Sequence, residues 1–437
     1  MPEGKSKRWP WRTAALLAVA LLTVPGAKMS AASAVESPLE LSLSQALQKA
    51  REENLRVARL DDQRDALLAN RLRALGPDEP TLGAVGYGPG SALGPAGSVQ
   101  YQVNQPFGFP GKASAQAQSL SLQAQTLDAE IQAGLLEGER EAKRAFEELW
   151  FAGQALQLNE LRAETFTKIV SLARRRMVKG TTREVEYLRA EAALEGVENE
   201  KDDLERREAG AQAELDVLLG LPPGQELVLQ DPPDMDQTYE SSGRWIAEAQ
   251  ALLSRMEGNG DRLGMRPGDP PLLLAARLRV EADRARLLAV KRGALPDLDA
   301  SVLESQGQVG GGLSMTLPIW YWFTERHTVA ASLEQVEAGR EGERIVRRGL
   351  ELGLEKDHGL LVDLKQKLQN YKDNLVPLDE KAFQLAFSNY HFGQIDYTSL
   401  ETAANAWLDA RMEEESLRTE YRQATADLEY LMGGEPR

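Results

Sequence analysis

Residues 98–107 read Ser98-Val-Gln-Tyr-Gln-Val-Asn-Gln-Pro-Phe107. In an extended chain Val99, Tyr101 and Val103 fall on one side and Gln100, Gln102 and Asn104 on the other, because side chains alternate along a strand. An apolar face backed by an amide face is the pattern of a membrane barrel strand, with lipid outside and water within. The length also suits the ~9–11 residues of a tilted spanning strand. Downstream, Gly312–Pro318 sets Leu313, Met315 and Leu317 against Ser314 and Thr316. Trp320, Tyr321, Trp322 and Phe323 follow at once, a cluster suited to the membrane–water boundary. Partner strands are expected at Thr81–Tyr87 and Leu298–Gln306, with Gly307–Gly312 as a hairpin tip. Four strands are too few to close a barrel, which takes about eight. Open edges are not tolerated in lipid. If the strands lie in the membrane, rather than forming soluble hairpins with a half-buried face, the barrel must be shared between copies of the chain, and the arithmetic alone accepts two copies or three.

Between the strands the sequence is helical. A first helix is expected from an N-cap at Ser42 to Gly76-Pro77. A second runs from about Lys112 to Lys179 without a proline, breaks at Gly180-Thr181-Thr182, and returns to Leu219. Read in sevens, Ala142, Leu149, Leu156, Ala163, Val170 and Met177 form one column. Ala145, Ala152, Asn159, Phe166, Ala173 and Gly180 form another three residues on. This is a coiled-coil seam, and its many alanines allow close approach of helices. A helix of about 68 residues spans roughly 100 Å.

The chain is also internally duplicated. At a constant shift of 213, Leu172–Leu221 lies over Leu385–Gly434, matching Gly180 to Gly393, Leu218 to Leu431 and Gly220 to Gly433. Upstream, Pro106 matches Pro318 at a shift of 212. The expected organisation is residues 39–220 as one repeat, 221–270 as a linker with one short helix near Arg244–Met256, and 271–434 as the second repeat. Pro377 lies inside the second long helix and is expected to kink it or to end a turn of it.

Residues 1–34 read as a cleaved secretory signal. They have a basic start at Lys5, Lys7, Arg8 and Arg12, an apolar run from Ala14 to Val24, and small residues at Ala32-Ser33-Ala34. Removing this segment, net +4, takes the chain from −16 to −20. So acidic a chain is unsuited to nucleic acid. There is no cysteine, which excludes disulfides, thiol catalysis and thiolate metal sites. His327, His358 and His391 do not fall in a zinc pattern, and no catalytic constellation or cofactor motif is visible.

With these features the sequence resembles the TolC-like outer-membrane efflux family over about Leu39 to Gly434. The resemblance is carried by Leu41-Ser-Leu-Ser-Gln-Ala-Leu47 with Glu53-Asn54, by Gln105-Pro-Phe107 and Thr316-Leu-Pro-Ile319 after the strands, and by Arg279–Arg284 through Leu295–Leu298. Two helix-hairpin tips complete it, Gly180-Thr-Thr-Arg-Glu-Val185 and Gly393-Gln-Ile-Asp-Tyr-Thr398. It implies a mainly α fold with a small β part. Long antiparallel coiled-coil helices form an α-barrel tunnel, and four strands per protomer contribute to a shared 12-stranded transmembrane β-barrel in a homotrimer. It also implies an outer-membrane location reaching into the periplasm, with contacts to outer-membrane lipid. Its members act as channels rather than enzymes, docking a periplasmic membrane-fusion adaptor and, through it, an inner-membrane pump. Docking then falls to Lys179, Gly180, Thr181, Thr182 and Arg183 at one tip, and to Phe392, Gly393, Gln394 and Asp396 at the other. Family members often close the entrance with acidic residues where this chain has Ser399 and Thr402. A constriction here would have to draw on Glu184, Glu186, Asp396 and Glu401 around those two positions. Phe107-Gly-Phe-Pro-Gly-Lys112 is similar to a turn of the metal-exporting branch, which favours a resistance–nodulation–division pump carrying metal ions or drugs. The alternatives are a type I protein-secretion duct and a non-channel coiled-coil scaffold of the envelope.

Overall fold

The computed structural model describes residues 39–86, 99–222, 224–225, 227–230, 232, 234–257, 268–305, 307–316 and 325–434. The expected signal segment, Trp320–Phe323, and the strand ends at Tyr87, Gln306, Leu317 and Pro318 lie outside these residues.

The chain opens with β1 (Leu39–Leu41), α1 (Leu43–Glu52) and α2 (Leu55–Leu75). Ser42 caps α1 in a reciprocal box. Its hydroxyl accepts from the Gln45 backbone N–H at 3.3 Å, and Gln45 Oε1 accepts from the Ser42 N–H at 2.9 Å. The single helix expected from Ser42 to Gly76 is two helices, because Asn54 starts a new one. Its side chain accepts from Val57 N at 3.1 Å and donates to the Gly134 carbonyl at 3.3 Å.

Next come β2 (Thr81–Gly86), β3 (Val99–Phe107), α3 (Lys112–Val178) and α4 (Glu184–Leu218). At 67 residues, α3 packs against α1, α2 and α4 and against helices of the second half. The second seam column is wholly buried from Ala145 through Ala152, Asn159, Phe166 and Ala173. Its one polar member, Asn159, donates to the Val197 carbonyl of α4 at 3.2 Å, which fixes the register of the pair.

The segment expected as a linker is more than that. It forms β4 (Leu227–Leu229), which pairs in parallel with β1, and α5 (Met235–Glu257). Rather than a short helix, α5 is 23 residues long and puts Trp245, Ala249 and Leu252 into a core shared with the helices that follow. Its alternation of Pro, Gly and Asp with apolar residues concealed both elements. The three-residue β1–β4 pair is also too short to show a period of two.

After α6 (Pro271–Gly293), β5 (Asp297–Ser305) and β6 (Gln308–Thr316) comes α7 (Glu325–Asn370). The expected hairpin tip shrinks to Gly307 (φ +79°), and β6 starts at Gln308 rather than Gly312. A π turn at Tyr371–Leu375 leads into α8 (Val376–His391), and α9 (Tyr397–Met432) ends the described chain. Pro377 lies in the first turn of α8. A proline there lacks the N–H for residue 373 and its ring would strike that carbonyl, and the wide turn just upstream relieves both demands. Among the described residues no helix is long and apolar enough to cross a membrane.

Candidate functional site

Two places on the molecule carry the sequence features singled out above: the four-stranded sheet and the tips where α3 meets α4 and α8 meets α9.

The sheet is antiparallel throughout, in the order β2-β3-β5-β6. Residues directly opposite share a face. Val103 lies between Leu82 and Val302, and Phe107 beside Leu298, which pairs in turn with Met315. Tyr101 lies beside Ala84, and Ala300 beside Leu313. One face of all four strands is therefore almost wholly apolar and open, with Leu82 at 85% and Leu313 at 86% exposure. Gln105 and Glu304 are its polar members, and each is tied down. Gln105 Nε2 donates to the Asp78 carbonyl at 2.7 Å, and Glu304 accepts from Gly307 N at 2.9 Å in the hairpin turn. The other face carries Gln100, Gln102 and Asn104, with Ser301, Ser314 and Thr316 beyond, and is interrupted by Val85 beside Gln100 and Leu303 beside Gln102. The alternation read in residues 98–107 thus extends across strands whose own sequences showed it poorly. Gly310–Gly312 hid it in the first half of β6, because glycine has no side chain to assign to a face. The outer strands β2 and β6 each have one edge unpaired within the sheet.

At the tips, Gly180 (φ +72°) and Gly393 (φ +78°) both adopt the left-handed conformation. Each closes its helix with the same pair of bonds. Gly180 N donates to Met177 O and Thr181 N to Arg176 O; Gly393 N donates to Tyr390 O and Gln394 N to Asn389 O. Lys179, Arg183, Phe392 and Gln394 are exposed there. The candidate constriction residues are engaged locally. Asp396 caps α9, accepting from the Ser399 hydroxyl at 2.6 Å and its N–H at 3.0 Å, and these bonds hold its carboxyl below the usual carboxylate range. Glu186 accepts from the Thr182 hydroxyl at 2.5 Å and, across the tips, from the Tyr390 hydroxyl at 3.4 Å, and Thr402 donates to Thr398 O at 2.8 Å. Glu184 lies in the opening turn of α4, and Glu401 just past the first turn of α9.

Sequence reading missed Arg176. Its Nη1 donates to the Tyr390 carbonyl at 2.6 Å, and its guanidinium sits 4.3 Å over the Tyr390 ring. This side chain, with the Tyr390–Glu186 hydrogen bond, joins the first tip to the second. Tyr390 is fully buried, and burial raises its phenol above the ordinary value. Arg176 stands among Arg174 and Arg175 in a basic run at a helix end, where the macrodipole alone accounts for it, so nothing in the sequence marked it out.

His358 lies within 3.0 Å of Gln250, and among the described residues no group of His, Cys, Asp and Glu could hold a metal.

A long paired-helix body carrying a small sheet with one apolar and one polar face defines the class of outer-membrane channel folds. VceC from Vibrio cholerae shares it at a TM-score of 0.72 and 15% identity, over 90% of this chain and 96% of that one. OprN, described as an outer-membrane channel, aligns at 0.72 and 16% over 90% of each chain. The Campylobacter jejuni CmeC outer membrane channel aligns at 0.70 and 12%, over 90% of this chain and 85% of that one. No curated protein matches the sequence. Residues 269–434 match the family described as outer membrane efflux protein. The later part of the chain is thus similar to that family, and the fold over 90% of the chain is that of solved outer-membrane channels.

Proposed function

We propose that the chain is one protomer of the outer-membrane duct of a tripartite efflux system, passively conducting metal ions or drugs handed over from the inner membrane. The carrying observation is the two-faced sheet with both outer edges unpaired. Such edges are costly in lipid, and joining β2 of one copy to β6 of the next removes them. Three copies give the 12-stranded barrel implied by the family resemblance. Repeats 39–220 and 271–434, with β4 and α5 between them, then supply the wall of the tunnel. Lys179–Arg183, Phe392–Gln394 and Asp396 form the docking surface for a periplasmic adaptor, which links to a resistance–nodulation–division pump. The carboxylates of Glu184, Glu186, Asp396 and Glu401 sit around that entrance.

Membrane fractionation and native mass measurement test this reading. The expected product is a detergent-stable trimer in the outer-membrane fraction. A soluble periplasmic monomer would overturn both barrel and duct.

A further inference from the structure

None of the four sheet strands contains a lysine or arginine. They contain three carboxylates: Asp297, Asp299 and Glu304. The register separates them. Glu304 lies on the apolar face, bound to the hairpin turn at the end of the sheet away from the helices. Asp297 and Asp299 lie on the polar face, at the end where β5 leaves α6. Asp297 is neutralised, since its Oδ1 accepts from Lys112 Nζ at 2.7 Å and from Phe109 N at 3.1 Å. Among the described residues Asp299 meets only a hydroxyl, Thr316 Oγ1 at 3.3 Å, and it stands opposite Pro106 and Ser314 in the ladder. The nearby base Arg292 is turned to the Gly111 carbonyl at 3.0 Å, in the loop between β3 and α3.

We propose that Asp299 sets the charge preference of the pore, its copies forming an acidic ring at the helical end of the barrel that favours cations over anions. This rests on the reading of the sheet as part of a shared barrel with its polar face inward. Rings of Asp or Glu side chains make pores cation-preferring. A ring with no fixed positive charge on the same wall raises local cation concentration and lowers that of anions by the same factor. With three charges about 10 Å from the axis in water, screened over about 10 Å at 0.1 M salt, the cation-to-anion permeability ratio comes to roughly five. The preference would act on any solute of either sign, so the substrate class it admits best is small cations and cationic organic molecules.

Reversal potentials of the purified full-length oligomer in planar bilayers under a potassium chloride gradient test the proposal. The wild type is expected to prefer potassium, less so in molar salt, where screening shortens. Asp299→Asn is expected to bring the ratio close to one. Adding Ser301→Asp, two residues along on the same face, is expected to restore it, an outcome that a merely structural role for Asp299 would not give. An open wild-type pore without cation preference, or an Asp299→Asn pore that keeps it, overturns the proposal and leaves the channel standing. A stable oligomer that never conducts overturns the channel reading itself, and this proposal with it.

Discussion

Gly180 and Gly393 hold their turns at positive φ in open surroundings. An added Cβ would meet nothing within 4 Å at Gly180, and only the end of Arg176, at 3.4 Å, at Gly393. The cost of a side chain there is thus conformational rather than steric, about 1–2 kcal/mol for an L-residue forced into the left-handed region. A penalty of that size, confined to a tip, leaves the buried seams untouched. Gly180→Val and Gly393→Val are accordingly expected to assemble at normal abundance and to lose export through disturbed adaptor docking. Resistance assays alongside trimer quantitation and adaptor crosslinking check this, and normal export with the adaptor still crosslinked would move docking to the tunnel wall. Sequence alone offers Gly210 and Gly339 as equivalent controls away from the tips. The structure separates them. Gly210 is open, whereas a Cβ on Gly339 would lie 2.9 Å from Asp283 Oδ2, so Gly210→Ala is the clean control.

At the scale of elements, β3 gives the sharpest forecast. Val103 and Gln102 are neighbours in sequence and belong to opposite faces of the sheet. Val103→Arg is expected to impair assembly, since a charge on the lipid side costs ~2–4 kcal/mol near the bilayer midplane. Gln102→Arg is expected to assemble normally and alter conductance only. Comparing the two in heat-modifiability gels and bilayer recordings checks the facing, and equal assembly would refute it. The long helices and β3 were legible because each carries its periodicity in its own residues, as with Lys112–Val178, expected to run to Lys179. Elements whose form depends on a partner were not. Asn54 breaks the first helix by bonding to Gly134, some 80 positions away in the chain. β4 exists because Leu39–Leu41 lies beside it, and α5 is held by a core contributed by α7 and α9. Of the site, the tip glycines were legible from duplication, whereas the Arg176–Tyr390 contact joins separate helices and leaves no local pattern.

For the whole molecule, the natural lack of cysteine makes closure directly testable. β2 and β6 run antiparallel at opposite edges of one sheet. If copies join edge to edge, single cysteines introduced along β2 and along β6 of the same chain should form disulfides between protomers, in a ladder that repeats every second residue. Non-reducing gels should then show covalent species up to the trimer and none beyond. Crosslinks only within monomers, or an open series of higher multimers, would show that the sheet does not close on itself.

The wide turn at Tyr371–Leu375 also bears on how the two halves came to differ. The sequence match between them runs at a shift of 212 at Pro106/Pro318 and 213 from Leu172/Leu385 onward, so the later half holds one more residue between those points. A π turn is a helix that has taken in a single extra residue without breaking, and this one lies inside that interval. The long helices, however, begin at Lys112 and Glu325, already 213 apart, and Ala117, Ser119 and Leu120 match Ala330, Ser332 and Leu333 at that shift, so the extra residue lies ahead of α7 and the π turn is a separate feature of the later half. Pro377, two residues past the bulge, holds it in place, because an unbroken α-helix there would set its ring against the Asp373 carbonyl. The bulge is thus locked by the proline and would resist removal by deletion alone. Removing Lys372 is expected to be tolerated only together with Pro377→Ala, with trimer yield as the measure.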